Sequence, residues 1–128
     1  MRNTLLSALA LSALIAAFPA SASENPLQST FCPKKGLPSI VGFEARWCTP
    51  CKLMQPAWRV LEKDYKDSIA FVHIDVDDQA ELSRALRISA VPTQIIFDRD
   101  CKVLDAHAGY ISEDELRSAF KILLERQQ

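Results

Sequence analysis

The chain has 128 residues, enough for one domain, and its 15 basic and 16 acidic side chains give a formal net charge of −1. That balance excludes the basic footprint of a nucleic-acid binder and gives no attraction to an anionic membrane surface. The sequence holds no long charge run, no low-complexity segment and no internal repeat.

Taken in chain order, Arg2 gives a short positive start, and Leu5 to Phe18 is apolar apart from Ser7 and Ser12. Ala20-Ser21-Ala22 follows with small residues at a cleavage position, so residues 1–22 read as a secretory signal peptide cut after Ala22. The apolar run is shorter than the roughly 18–20 residues of a spanning helix, which argues against a retained anchor. No stable membrane insertion is expected after its removal, which also takes away Arg2 and moves the net charge to −2. The expected location is secreted across an inner membrane, in the periplasm. Residues 23–37, with Pro26, Pro33 and Gly36, read as an irregular lead-in, and the domain itself is expected over residues 38–128.

Ile40 to Ala45 is short and mostly apolar and reads as a buried strand. From Cys48 to about Lys66 the period changes. Leu53, Ala57, Leu61 and Tyr65 recur every four residues, with Met54 and Trp58 beside them, as in an amphipathic helix that carries Pro56 inside it. Ile69 to Val76, rich in β-branched and aromatic residues, is the next strand. Asp78 with Glu81 three later resembles a helix N-terminus, ahead of Leu82, Ala85 and Leu86. Thr93 to Phe97 and Lys102 to Ala108 read as strands separated by a turn short enough for a hairpin. Ser112 and Glu115 form a capping box for a last helix with Leu116, Ala119, Phe120, Leu123 and Leu124 on its core face. The predicted architecture is α/β: a mixed sheet of parallel strands plus an antiparallel hairpin, with helices on both faces.

The chemistry centres on Cys48-Thr49-Pro50-Cys51, with Trp47 before it and Lys52 after it. Two cysteines three apart can close a small ring and open it again. The motif falls where a strand turns into a helix, so the first sulfur is expected exposed at the helix N-terminus. Unpaired N–H groups and the positive dipole end there favour thiolate over thiol. The thiolate is the nucleophile of disulfide exchange.

The order of elements and these residues resemble the thioredoxin family over about Pro38 to Leu124. The resemblance rests on Trp47-Cys48-x-Pro50-Cys51-Lys52, on Pro56 five residues after the second cysteine, on Val91-Pro92-Thr93 leading into a strand, and on Gly109 after the hairpin. It implies a thiol–disulfide oxidoreductase without a cofactor, with Cys48 as attacking thiolate and Cys51 as resolving cysteine. Trp47, Thr49 and Pro50 would support the site, and the Val91–Pro92 bond would be cis beside the disulfide. Trp47, Val91, Pro92, Gly109 and Tyr110 would line a groove for an extended substrate segment, joined by backbone hydrogen bonds at Val91. The implied partners are proteins that carry disulfides or thiols. Reduction would draw electrons from a membrane thiol relay, whereas oxidation or isomerisation needs an unstable disulfide. Pro50 is the residue that strongly reducing members carry, so the reading leans to a reductase.

Departures from the family pattern locate a second expectation. The family's buried acid falls on Gly42, its partner lysine on His73, and a tryptophan on Glu44. Glu44 shares a strand face with Gly42, and His73 lies on the adjacent strand, so Glu44, His73 or both are candidates to move the proton of Cys51.

Cys101 sits in the hairpin turn and Cys32 just before the first strand, at the same end of the sheet, so a structural Cys32–Cys101 disulfide is permitted. Two free thiols, or a second redox pair feeding the first, are the alternatives. A metal-binding module using these cysteines and two histidines lacks the second close ligand pair of structural zinc sites, so no metal is expected. A binding module without turnover is disfavoured by the presence of both motif cysteines. Asp75, Asp77 and Asp78 read as a strand end and helix start rather than a calcium loop.

Overall fold

The structure, a computed structural model, describes residues 26–126; the segment read as a signal peptide and residues 23–25 lie outside the described residues. The elements run α1 (Pro26–Phe31), β1 (Ser39–Glu44), α2 (Thr49–Tyr65), β2 (Ala70–Asp75), α3 (Ala80–Ala85), β3 (Thr93–Phe97), β4 (Val103–Ala108) and α4 (Glu113–Arg126). The strands form one sheet in the order β2-β1-β3-β4. β1 and β2 are joined through α2 and pair in parallel, with Gly42 beside His73. β1 pairs antiparallel with β3, and β3 with β4.

Alternation along β1 sends side chains into two cores. Ile40 packs with Met54, Trp58 and Leu61 of α2 and with Leu116, Phe120 and Leu123 of α4. Val41 and Phe43 point the other way, into a cluster with Phe31, Ile74 and Phe97 that Leu82 and Leu86 also cover. The sheet is therefore sandwiched, with α2 and α4 on one face and α1 and α3 on the other. Phe43, Ile40, Leu61 and Phe120 are fully buried, and each such side chain contributes roughly 1.5–3 kcal/mol of transfer free energy.

Two local expectations are corrected. The lead-in is not wholly irregular, because Pro26–Phe31 is a helical turn and a half. Proline opens it without losing a needed N–H. The Ser29 and Thr30 hydroxyls donate to the Pro26 carbonyl, and Phe31 stacks on Phe97 with ring centroids 5.5 Å apart. The polar, proline-rich composition hid this anchor. Asp78 is not the cap of α3: the N-cap is Gln79, which makes no side-chain cap bond. Asp78 instead pairs with Arg46, while Asp75 Oδ1 accepts from the Asp77 and Asp78 N–H groups. At α4 the capping box is formed, with the Ser112 N–H donating to Glu115 at 2.9 Å and the Glu115 N–H to Ser112 Oγ at 3.3 Å.

Candidate active site

β1 delivers the chain to the cysteine motif and α2 begins inside it. Cys48 is the N-cap of α2, extended at φ −81° and ψ 108°, and its Sγ accepts the Cys51 N–H at 3.2 Å. A sulfur thus takes the role that a serine or aspartate oxygen usually plays at a helix start. The Cys48 N–H donates to the Ala45 carbonyl at 3.0 Å and the Lys52 N–H to the Cys48 carbonyl at 3.2 Å, which fixes the turn on both sides. Pro50 lies in the first helical turn, where its missing N–H costs nothing. Cys48 and Cys51 are joined by a disulfide with Cα atoms 5.3 Å apart.

The expectation of an exposed first sulfur is corrected for this oxidised form. Cys48 is only 3% exposed and Cys51 2%. The closed ring holds both against Ala45, Val76 and Val91. What stands open is the rim: Trp47 is 66% exposed, and Thr49 and Pro50 are exposed beside it. Trp47 is held by its Nε1–H, which donates to Asp77 Oδ2 at 2.8 Å.

The Val91–Pro92 bond is cis. Val91 is half-buried against the cysteines, Pro92 is buried, and the Pro92 carbonyl accepts the Gly109 N–H at 2.7 Å. Gly109 has φ +106°, a conformation that costs a side-chain-bearing residue and that glycine adopts freely. Tyr110 next to it is exposed. Beneath the rim, Arg46 pairs with Asp75 and Asp78. The Asp75 carboxyl is held below the usual carboxylate range, first by the Asp77 N–H and then by Asp78 and Arg46.

Glu44 and His73 come together on the α2 side of the sheet, with His73 Nδ1 3.8 Å from Glu44 Oε1. A third group joins them, since Glu62 of α2 pairs with His73 Nε2. The three line a shallow cavity of about 200 Å³ with Gln55, Trp58 and Arg59, and neither cysteine lines it. At Gly42 a tryptophan borders the space for a side chain: a Cβ there would lie in ordinary contact, 3.4 Å from the Trp58 ring and 3.8 Å from His73 Nδ1. Trp58 also meets the His73 ring edge-to-face at 5.3 Å. The remaining pair, Cys32 and Cys101, is joined by a disulfide with Cα atoms 6.0 Å apart. Among the described residues, no cluster of three or more histidine, cysteine or acidic side chains is arranged to hold a metal ion.

Comparison with known proteins places this geometry. A family model described as thioredoxin matches residues 29–121. The chain belongs to the thioredoxin family. It is 39% identical over 82 residues to thioredoxin of Mycoplasmoides gallisepticum, covering 64% of this chain and 80% of that protein. It is 33% identical over 84 residues to thioredoxin of Borreliella burgdorferi, covering 66% and 71%. Among solved structures, Fasciola hepatica thioredoxin superposes with a TM-score of 0.67 at 29% identity, over 76% of this chain and 90% of that one. With its C-x-x-C disulfide in place, this thioredoxin-family chain is a thiol–disulfide oxidoreductase, and membership implies protein thiols and disulfides as its substrates.

The sequence places Trp58 only among the residues of the amphipathic helix, not at the site, and it does not single out Glu62. The signal for Trp58 was its bulk on the core face of α2, opposite a strand position that carries no side chain. Glu62, one turn beyond Trp58, gave no signal before β2 was placed beside α2.

Proposed function

We propose that the protein is a secreted, periplasmic reductase of protein disulfides that receives its electrons from a membrane thiol relay. The observation that carries the reading is Cys48 at the α2 N-cap, its sulfur already accepting the Cys51 N–H at 3.2 Å. On reduction, the same N–H and the helix N-terminus favour negative charge on Cys48. That thiolate attacks a substrate disulfide; a Cys48–substrate bond forms and one substrate sulfur leaves as thiolate. Cys51 then attacks Cys48 Sγ, the mixed disulfide breaks, and the second substrate sulfur departs with the electron pair. Two electrons have passed from the dithiol to the substrate. The rim of Trp47, Thr49, Pro50, Val91, Pro92, Gly109 and Tyr110 would hold the substrate segment. Pro50 in the motif supports the reducing direction. The N-terminal signal pattern and a Cys32–Cys101 disulfide of the kind that persists under oxidising conditions support secretion.

Proton exchange at Cys51 falls to Glu44 and His73 in this reading. His73 Nδ1 lies 3.8 Å from where a Cβ at position 42 would stand, Glu44 Oε1 lies 3.8 Å from the same nitrogen, and Glu62 pairs with His73 Nε2. Glu44→Gln and His73→Ala are expected to alter the pH profile of exchange between pH 6 and 8; unchanged profiles in both would remove them from the mechanism. The direction of electron flow is tested by equilibrating the Cys48–Cys51 pair against glutathione and dithiothreitol. A reduction potential well below the glutathione couple is the expected result, and one at or above it makes the protein an oxidase or isomerase.

A further inference from the structure

The Cys32–Cys101 disulfide lies at the end of β1 opposite the active site. One side of it packs on the core around Phe31 and Phe97. The other side borders a cavity of about 450 Å³, the size of pockets that take small organic molecules. Its described lining includes both half-cystines and three basic residues, Lys34, Lys35 and Arg99, and no acidic one. In a chain with more acidic than basic residues, this lining concentrates positive charge beside a sulfur–sulfur bond, while Asp98 and Asp100, which flank Arg99 in the turn, do not line the cavity. Lys34 is fixed there by its ammonium, which donates to the Lys66 carbonyl at 2.8 Å.

The two sulfurs differ in surroundings. Cys32 Sγ lies 3.6 Å from the hydroxyl oxygen of Ser39, a fully buried residue. Cys101 sits in the β3–β4 turn with φ +59°, and its Sγ lies 4.0 Å from the Gln28 carbonyl, which accepts and cannot donate. A hydroxyl can donate to a developing thiolate, so Cys32 is the better leaving group and Cys101 the better target.

We propose that this cavity binds a small anionic thiol, a low-molecular-weight thiol bearing carboxylates, and that the bound thiol exchanges with the Cys32–Cys101 disulfide. The incoming thiolate sulfur bonds to Cys101 Sγ. The Cys32–Cys101 bond breaks, and its electron pair leaves on Cys32 as a thiolate that accepts from Ser39. The thiol sulfur is oxidised to the level of a disulfide, Cys32 is reduced, and no further reductant is needed. Exchange cuts the covalent tie between α1 and the β3–β4 hairpin and leaves Phe31 on Phe97 as a remaining anchor of α1. The site is separate from Cys48–Cys51 and would modify the protein itself rather than a substrate.

The test uses the full chain carrying Cys48→Ser and Cys51→Ser, so that only the distant pair can react. Reduced glutathione and the cationic thiol cysteamine are compared at equal thiolate concentration and low salt, with acid quenching and mass mapping of the first adduct. Glutathione is expected to react about tenfold faster, an advantage of the size that local charge gives to association and that salt screens. Lys34→Gln, Lys35→Gln and Arg99→Gln together are expected to abolish that preference, and the first adduct is expected on Cys101. Equal rates for the two thiols overturn the anionic site, as does a preference that survives the triple substitution. A first adduct on Cys32 overturns the assigned direction of attack. Circular dichroism of each variant before mixing checks that the fold is retained; should the triple variant unfold, the salt dependence of the parent decides, and a glutathione rate unaffected by salt overturns the site.

Discussion

Trp58 and an acid at position 42 compete for the same volume, and Gly42→Asp measures that competition. Gly42 is not among the glycines with positive φ, so a side chain is not forbidden by the backbone. The first added carbon would lie 3.4 Å from the Trp58 ring, ordinary contact, so Gly42→Ala is expected to change stability by less than about 1 kcal/mol. The carboxyl group of aspartate extends beyond that carbon into space the indole holds. Overpacking costs about 1–3 kcal/mol, and burying a polar group beside an aromatic face adds roughly 1–3 kcal/mol. His73 Nδ1, 3.8 Å from the same point, gives the carboxylate a partner and sets the lower end. A loss of about 2–5 kcal/mol is expected, against about 2–4 kcal/mol for Trp58→Leu alone. Because the smaller leucine frees the contested volume, the double variant should lose less than the sum by about 1–3 kcal/mol. Urea unfolding of the oxidised proteins, with the slope checked for constancy, gives all four corners of the cycle. Losses that add to within about 0.5 kcal/mol would show that the ring and the carboxylate do not share space, and the account of Gly42 would fall.

Three further outcomes are expected. Cys51→Ser should accumulate a disulfide-linked substrate adduct through Cys48, seen by non-reducing electrophoresis, whereas Cys48→Ser should accumulate none; adducts through Cys51 would reverse the assigned roles. Replacing Cys32 and Cys101 together by serine should lower stability by about 2–4 kcal/mol, since the bond closes a long loop; a melting temperature unchanged within error would mean the link adds nothing. Glu115 is held below its ordinary range, first by the Ser112 hydroxyl and then by the Ser112 N–H. A depressed carboxylate stabilises fully above its unfolded value of about 4.3 and loses that contribution as pH falls through the folded value. The stability gap between the parent and Ser112→Ala should therefore narrow below about pH 4, and a gap constant from pH 7 to pH 2 would sink the assignment.

Periodicity made the central elements legible before any coordinates. The apolar run before the cysteines, the four-residue repeat after them and the paired strands around residues 98–102 depend on local pattern, and local pattern survives folding. The α1 anchor did not show, because its helicity rests on one buried ring, Phe31, that finds Phe97 only after the sheet forms. The cap of α3 was misassigned because Asp78 has a stronger competitor in Arg46, 32 residues away. At the site, the motif announced the cysteine pair. The near-total burial of Cys48 was not legible, since it follows from ring closure against Val91, which arrives from a distant loop. Alternation placed Glu44 on the face of Gly42 with His73 on the adjacent strand, while Glu62 and the contact of Trp58 with His73 needed the packing of α2 across β1 and β2.

The aromatic contacts beneath α2 form a continuous file. Tyr65 meets Phe120, Phe120 meets Phe71, Phe71 meets Trp58 and Trp58 meets His73, each edge-to-face. Trp47 stands apart from this file, on the open rim beside the cysteines. The chain's two tryptophans are therefore optical reporters of different events. Emission from Trp47 is expected to follow the opening and closing of the neighbouring disulfide, and emission from Trp58 the packing of α4 through the rings behind it. A Trp47→Phe variant would leave a single tryptophan, which under excitation selective for indole reads the integrity of the interior with little direct contribution from the redox state of the surface.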